Sequence, residues 1–195
     1  MILILTSIIE ETNSKWLPLK ISEELILDIG NENMEAFRVL YEETNKAVYG
    51  FAYSILKNTH DANDVMQDTY VQIHANAKKY KCQGKPMAWI FRITRNLALM
   101  KIREGAKMAP YEIEEQLSDP QVEFSTLSED RIMLEKTLCE LPDEERQILI
   151  LYAVSGLKHR EIAAIMNMNL ATELSKYRRT IKKMKKLMME GEKNE

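Results

Sequence analysis

Apolar residues in this chain return at spacings of three and four, block after block, and rarely alternate with polar ones. That period marks one face of an α-helix rather than a half-buried strand. From Glu35 to Leu56, the residues Phe37, Leu40, Tyr41, Thr44, Val48, Phe51 and Ile55 recur in this way and predict one long amphipathic helix. Only six Gly and five Pro punctuate the 195 residues, so long helices joined by short turns are expected, an all-α fold. A hydrophobic fraction of 45% with 29% charged residues is that of a globular chain, long enough for one domain or two small ones.

The net charge of −3 conceals a polarity. Acidic residues crowd the middle, whereas Lys and Arg crowd the stretch from Lys176 to Lys186, which suggests an end that faces nucleic acid. Cys82 and Cys139 are far apart, without a second Cys or His at metal-ligand spacing, and read as reduced thiols in a cytoplasmic protein. His60, His74 and His159 are isolated from one another and from any acid pair at ligand spacing, so no catalytic residue, metal site or cofactor is expected. The opening run Met1-Ile2-Leu3-Ile4-Leu5 has no basic flank and ends at Glu10-Glu11. It is too short to span a membrane and unlike a signal peptide, so residues 1–23 read as an N-terminal arm without membrane insertion.

Two neighbouring helices carry opposite chemistry. In the helix that starts at Asp61, the residues Met66, Tyr70, Ile73 and Ala77 fall on an apolar side and Asp61, Asp64, Asp68 and Gln72 on the other. The next helix begins with Pro86, well suited to a first helical turn. Its expected core stripe is Ile90, Ile93, Leu97 and Met100, beside a stripe of Trp89, Arg92, Asn96 and Arg103 that suits nucleic acid. Trp89 by itself would suit a core position, but Arg92, Arg95 and Arg103 around it favour a base platform. The loop from Lys78 to Lys85 is basic and holds the aromatic Tyr80.

Gly105, Pro110, Pro120 and the acidic Glu112 to Glu115 break the periodicity, and residues 104–128 read as a linker. Beyond it a helix from near Glu129 is expected to reach Leu141. Pro142 restarts the chain with Asp143, Glu144 and Glu145 in a first turn, and Gly156 should end that helix. His159 to Met166, a turn capped by Asn169, and a helix from Ala171 onward have the dimensions of a helix-turn-helix. Leu174, Tyr177, Ile181, Met184 and Met188 form the expected apolar stripe of the last helix. Thr172, Ser175, Lys176, Arg179, Lys182, Lys183 and Lys186 stand on the other side, where a recognition helix meets bases and phosphates.

Asp61-Ala62-Asn63-Asp64-Val65-Met66-Gln67-Asp68-Thr69-Tyr70 and Ala88-Trp89-Ile90-Phe91-Arg92-Ile93-Thr94-Arg95-Asn96-Leu97-Ala98 resemble the second conserved region of the sigma-70 family. Leu141-Pro142 through Arg146, Gly156-Leu157 and Glu161-Ile162-Ala163-Ala164-Ile165-Met166 resemble its fourth. The likeness covers roughly residues 24–187 and is strongest to the compact extracytoplasmic-function group.

It implies two small helical domains, residues 24–103 and 129–190, and a transcription initiation factor that binds core RNA polymerase and promoter DNA. An anti-sigma factor is a further candidate partner. Asp61, Asp64, Gln67 and Asp68 would then dock on core polymerase. Tyr80, Lys85, Trp89, Arg92, Arg95 and Asn96 would hold the melted −10 element. Arg160, Thr172, Ser175, Lys176, Arg179 and Lys183 would read the −35 element.

Asn63, Lys158-His159-Arg160 and Ala171-Thr172-Glu173-Leu174 depart from the usual family pattern. Glu173 stands where an apolar Val is usual, so either Leu174 takes its place in the core or the carboxylate is partly buried. A stand-alone helix-turn-helix regulator is the alternative reading, and it would leave the first block as a dimerisation or sensor bundle. Unaided binding of duplex promoter DNA separates it from a factor that works through polymerase.

Overall fold

The computed structural model describes residues 19, 21–108, 138 and 140–191. The chain splits into two compact units, one holding the described residues up to 108 and the other those from 138 onward. Among the described residues every regular element is helical. The arm at residues 1–18, the rest of the linker beyond Met108 and the start of the helix near Glu129 lie outside the described residues.

The first unit opens with α1 (Glu23–Gly30), whose cap Ser22 accepts a hydrogen bond from the Glu24 N–H at 3.2 Å. Next comes α2 (Met34–Leu56), capped by Asn33 and closed by Lys57 in the left-handed region with φ 55°. The following helix, α3 (Thr59–Asn76), is capped by Asn58, whose side chain accepts from the Asp61 N–H at 3.0 Å. The connection is so tight that the extended residue directly after Lys57 is the one aimed at the orphan amides. A 3-10 turn (Ala77–Lys79) and an irregular loop lead to α4 (Pro86–Met108), which continues past Arg103.

The three long helices pack on one another around Leu40, Val48, Phe51, Ile73, Ile90 and Phe91, all fully buried. Phe51 and Phe91 meet edge to face at 5.2 Å. Burying each such side chain contributes roughly 1.5–3 kcal/mol. The core also holds hydroxyls with partners. Tyr70 and Thr44 share a 2.7 Å hydrogen bond, and Thr44 donates to the Leu40 carbonyl.

The core face of α4 differs from the sequence expectation. Met87, Ile90, Phe91, Thr94 and Ala98 are buried, Ile93 and Leu97 are half-buried, and Met100 is 48% exposed. Thr94 can turn inward because it donates to its own Ile90 carbonyl at 3.1 Å and meets Thr69 at 3.4 Å. A β-branched residue bonded back to its own helix costs little in a core. Met66 on α3 is likewise only half-buried, and Val65 and Thr69 take the inward positions.

The second unit consists of α5 (Asp143–Ser155), α6 (His159–Met166) and α7 (Leu170–Gly191). Gly156 closes α5 in the left-handed region, φ 60°, and Asn167 does the same for α6 at φ 56°. Leu138, Leu141, Leu149, Ala153 and Met184 form one core, with Tyr177 and Ile181 packed against it. Among the described side chains of α7 the fully buried ones are Glu173, Thr180 and Met184, while Leu174 is only half-buried. The inward stripe is thus displaced by one residue at its start, and a carboxylate occupies the interior.

Candidate docking and nucleic-acid surfaces

Three surfaces emerge, two on the first unit and one on the second. Asp61 and Asp64 stand on one side of α3, and Lys101 of α4 reaches both, at 3.1 and 2.6 Å. The Lys101 ammonium, chiefly through its hydrogen bond, holds the Asp64 carboxyl below its usual range. His60 approaches Asp64 to 3.4 Å one helical turn along α3 and stands with Asp61 and Asp64, so this histidine is not isolated from an acid pair as the sequence reading expected, because residues i and i+4 share a helix face. Lys101 already lies between those carboxylates and compensates their charge. Gln67 and Asp68, one turn further along, are exposed, and among the described residues no hydrogen bond or ion pair engages Asp68. The acidic stripe therefore has a compensated end and an open end.

The second surface is the loop between the 3-10 turn and α4, with the start of α4. Tyr80 lies at 5.0 Å from Trp89, ring to ring, at an angle of 57°. Trp89 and Arg95 are half-buried, whereas Lys85, Arg92 and Asn96 are exposed beside the two rings. Arg92 and Asn96 follow Trp89 at helical spacing, which keeps all three on one face. Burial and a hydrogen bond to Glu23 push the Tyr80 hydroxyl above its ordinary range, so it remains a donor.

Glu23 is the residue that sequence reasoning missed. One of its oxygens accepts from the Tyr80 hydroxyl at 2.7 Å, the Gln83 N–H at 2.7 Å and the Gly84 N–H at 2.8 Å. Gly84 has φ +68°, a conformation that a side chain would strain, and this turns the two successive amides toward one anion. The Tyr80 hydrogen bond, followed by those amides, holds the Glu23 carboxyl below its usual range. The only local signal at Glu23 was its place in a capped first turn, which says nothing about a partner 57 residues away.

The third surface is the helix-turn-helix. Asn169 accepts from the Thr172 N–H at 2.7 Å, as the cap reading expected. Ser175, Arg179 and Arg160 are exposed and Thr172 is half-buried. Three of the expected DNA contacts also have partners within the unit. Lys176 pairs with Glu144, Arg179 approaches the buried Glu145 at 3.4 Å, and Lys183 donates to the Glu140 carbonyl at 2.6 Å. Lys176 and Arg179 lean on the acidic first turn of α5, and Lys183 on the backbone just before it. Arg178 and Lys182, exposed and without an ion pair among the described residues, face further outward. Exposure is the signal that ranks them ahead of Lys176, and sequence could not supply it.

Behind that surface, Glu173 is completely buried and hydrogen-bonded to His159 Nδ1 at 2.9 Å. His159 stacks on Tyr152 at 4.9 Å and meets Tyr177 edge-on at 4.7 Å. A carboxylate without solvent needs a polar partner, and the histidine at the start of α6 supplies it. The departures at His159 and Glu173 are thus one feature, a cross-helix pair that ties the two helices of the motif together.

Comparisons with known proteins complete this description. Residues 40–108 match the family model for sigma-70 region 2, and residues 131–184 match that for sigma-70 region 4. The chain is 26% identical over 168 residues to an ECF RNA polymerase sigma factor SigK of a Mycobacterium species (strain KMS), covering 83% of this chain and 87% of that one. It is 23% identical over 162 residues to the ECF RNA polymerase sigma factor SigW of Bacillus subtilis, covering 75% and 86%. The fold matches the sigma factor RpoE of Bartonella quintana, solved with the anti-sigma factor NepR, at a TM-score of 0.63 and 24% identity, over 78% of this chain and 96% of that one.

The chain belongs to the sigma-70 family. Within it, the chain is an extracytoplasmic-function sigma factor, a transcription initiation factor with no enzymatic activity of its own. Among the described residues no helix is long and apolar enough to cross a membrane.

Proposed function

We propose that the three surfaces divide the work of initiation among themselves. The α3 stripe of Asp61, Asp64, Gln67 and Asp68 docks on core RNA polymerase, with Asp68 at its open end contributing most. Tyr80, Lys85, Trp89, Arg92, Arg95 and Asn96 receive the melted −10 strand. Arg160, Thr172, Ser175, Lys176, Arg179 and Lys183 face the −35 duplex, joined by Arg178 and Lys182. Residues 24–103 and 129–190 act as separate domains, linked by 104–128. The protein works in the cytoplasm, where polymerase and DNA are, and an anti-sigma factor, such as the one bound to the Bartonella relative, is a fitting antagonist.

The observation that carries this reading is the Tyr80–Trp89 pair with exposed Lys85, Arg92 and Asn96 beside it. Aromatic faces next to cations are what unstacked bases bind, at roughly 1–3 kcal/mol per stacked base. The test is Trp89→Ala in holoenzyme assembled on promoter DNA. Open-complex formation should fall about tenfold or more while closed-complex formation holds. Equal loss of both, together with a lowered melting temperature, would make Trp89 a core residue only.

Reversing Asp64 and Asp68 to Lys should abolish co-purification with core polymerase, since a central interface charge is worth about 2–5 kcal/mol. Unchanged binding removes the docking assignment. The stand-alone regulator stays in play only if the purified chain binds duplex promoter DNA without polymerase.

A further inference from the structure

The family match to region 2 begins at residue 40 and leaves α1 outside it. Yet α1 lies along the segment that leads to the promoter-reading loop and holds that segment at three points. At its C-terminal end Gly30 sits so close to the 3-10 turn that an added Cβ would lie 3.2 Å from the Ala77 carbonyl carbon and oxygen and from Lys78 N. Just beyond that end, Glu32 pairs with Lys78 at 2.8 Å. At its N-terminal end Glu23 gathers the Tyr80 hydroxyl and the amides of Gln83 and Gly84 on one oxygen.

We infer that α1 is a splint for the −10-reading loop and that Glu23 is its positioning residue, setting base selectivity without touching DNA. The inference rests on the assignment of the 80–85 loop and Trp89 to promoter reading. An irregular loop with exposed Lys81, Cys82, Gln83, Gly84 and Lys85 has few contacts of its own to fix it. A carboxylate that accepts from both ends of such a loop removes most of its conformational freedom before DNA arrives. The Tyr80 hydroxyl bond adds orientation, because it fixes the ring that leans on Trp89. Charged acceptors make stronger hydrogen bonds than neutral ones, so a carboxylate serves here where an amide oxygen would hold less firmly. Glu23 also lies at the amino end of α1, where a negative charge is favoured by the helix dipole.

The test uses holoenzyme made from the full chain and core polymerase, presented with a promoter library randomised across the −10 element. Wild type defines the discrimination at its most selective base. Glu23→Ala should lower that discrimination roughly tenfold, and Glu23→Gln by less, with core affinity within about twofold of wild type. The Gln83 and Gly84 amide resonances of the free protein should move upfield in both variants.

Lys85→Ala and Trp89→Ala test the underlying reading in the same library. If they flatten the selection while Glu23→Ala leaves it intact, the splint is wrong and the loop reading stands. If they leave it intact as well, the loop is not the reader and the inference falls with it. Should Glu23→Ala lose helix content while Glu23→Gln selects like wild type, Glu23 is a folding residue and the positioning role is overturned.

Discussion

Each unit of this sigma factor uses one glutamate to tie one element to another, α1 to the 80–85 loop in the first and α7 to α6 in the second, and the two do so in opposite surroundings. Glu23 is partly exposed and is met by three neutral donors at 2.7–2.8 Å. Glu173 is fully buried, with one histidine nitrogen at 2.9 Å, and its other oxygen has no hydrogen-bond partner among the described residues. A surface carboxylate keeps part of its hydration, so its hydrogen bonds add order at little cost. A buried one has given up its hydration and depends on its single partner. The contrast predicts that the first unit folds without its glutamate, whereas the second is sensitive to how its pair is broken.

The largest expected effect follows from that asymmetry. His159→Ala strands the Glu173 carboxyl in the interior and removes a ring that packs on both Tyr152 and Tyr177, so it should destabilise the second unit by about 3 kcal/mol in a denaturant titration. Glu173→Val, which removes the buried charge and fills the space with apolar atoms, should cost far less or even stabilise. If Glu173→Val proves the more damaging of the two, the buried pair is not what the second unit depends on.

The next effect is a matched pair of glycines. Alanine at Gly30 would press on the Ala77 and Lys78 backbone at 3.2 Å, while alanine at Gly105 meets nothing within 4 Å. Overpacking against backbone that cannot give should cost about 1–2 kcal/mol at Gly30. Removing a flexible residue from an open helix should stabilise by roughly 0.5–1 kcal/mol at Gly105. Opposite signs in two thermal melts would sharpen the contrast between the seated α1 and the open end of α4. Equal signs would mean that α1 is not closely seated.

A pH titration reads the Glu23 contacts by another route. The Glu23 carboxyl titrates below its ordinary 4.5, so the folded loop prefers the ionised form. Its contribution is therefore fully present above that value and is lost as pH falls through the lower folded-state value. Gln83 and Gly84 amide shifts should stay constant down to about pH 5 and move only below 4.5. Movement nearer neutrality would break the assignment of those amides to Glu23.

The smallest effect belongs to the acidic stripe. The side chains of Lys101, Asp61 and Asp64 are 32%, 38% and 39% exposed, and such pairs are worth about 0–1 kcal/mol. Lys101→Ala should hardly change the melting temperature. It should, however, strengthen binding to core polymerase severalfold at low salt by uncovering two charges, an effect that fades as salt is raised.

Much of this molecule was legible in the sequence because much of it is local. The spacing of Leu40, Thr44, Val48, Phe51 and Ile55 marked α2, Gly156 marked the end of α5, and Asn169 marked the cap of α7. Each rests on groups within one or two helical turns of one another, which linear order already places together. The two conserved blocks were recognisable for the same reason.

Tertiary packing decided the rest. Whether Ile93 or Thr94 faces inward is a rotation of about 100°, and both choices satisfy helical periodicity. Only the fit against Phe51 and Thr69 selects one. Glu23 finds Gly84 across 61 residues, Lys101 finds Asp64 across 37 and His159 finds Glu173 across 14. Such pairs arise from the angle and depth at which whole helices meet. Those depend on the summed shape of many side chains, so no short stretch of sequence contains them.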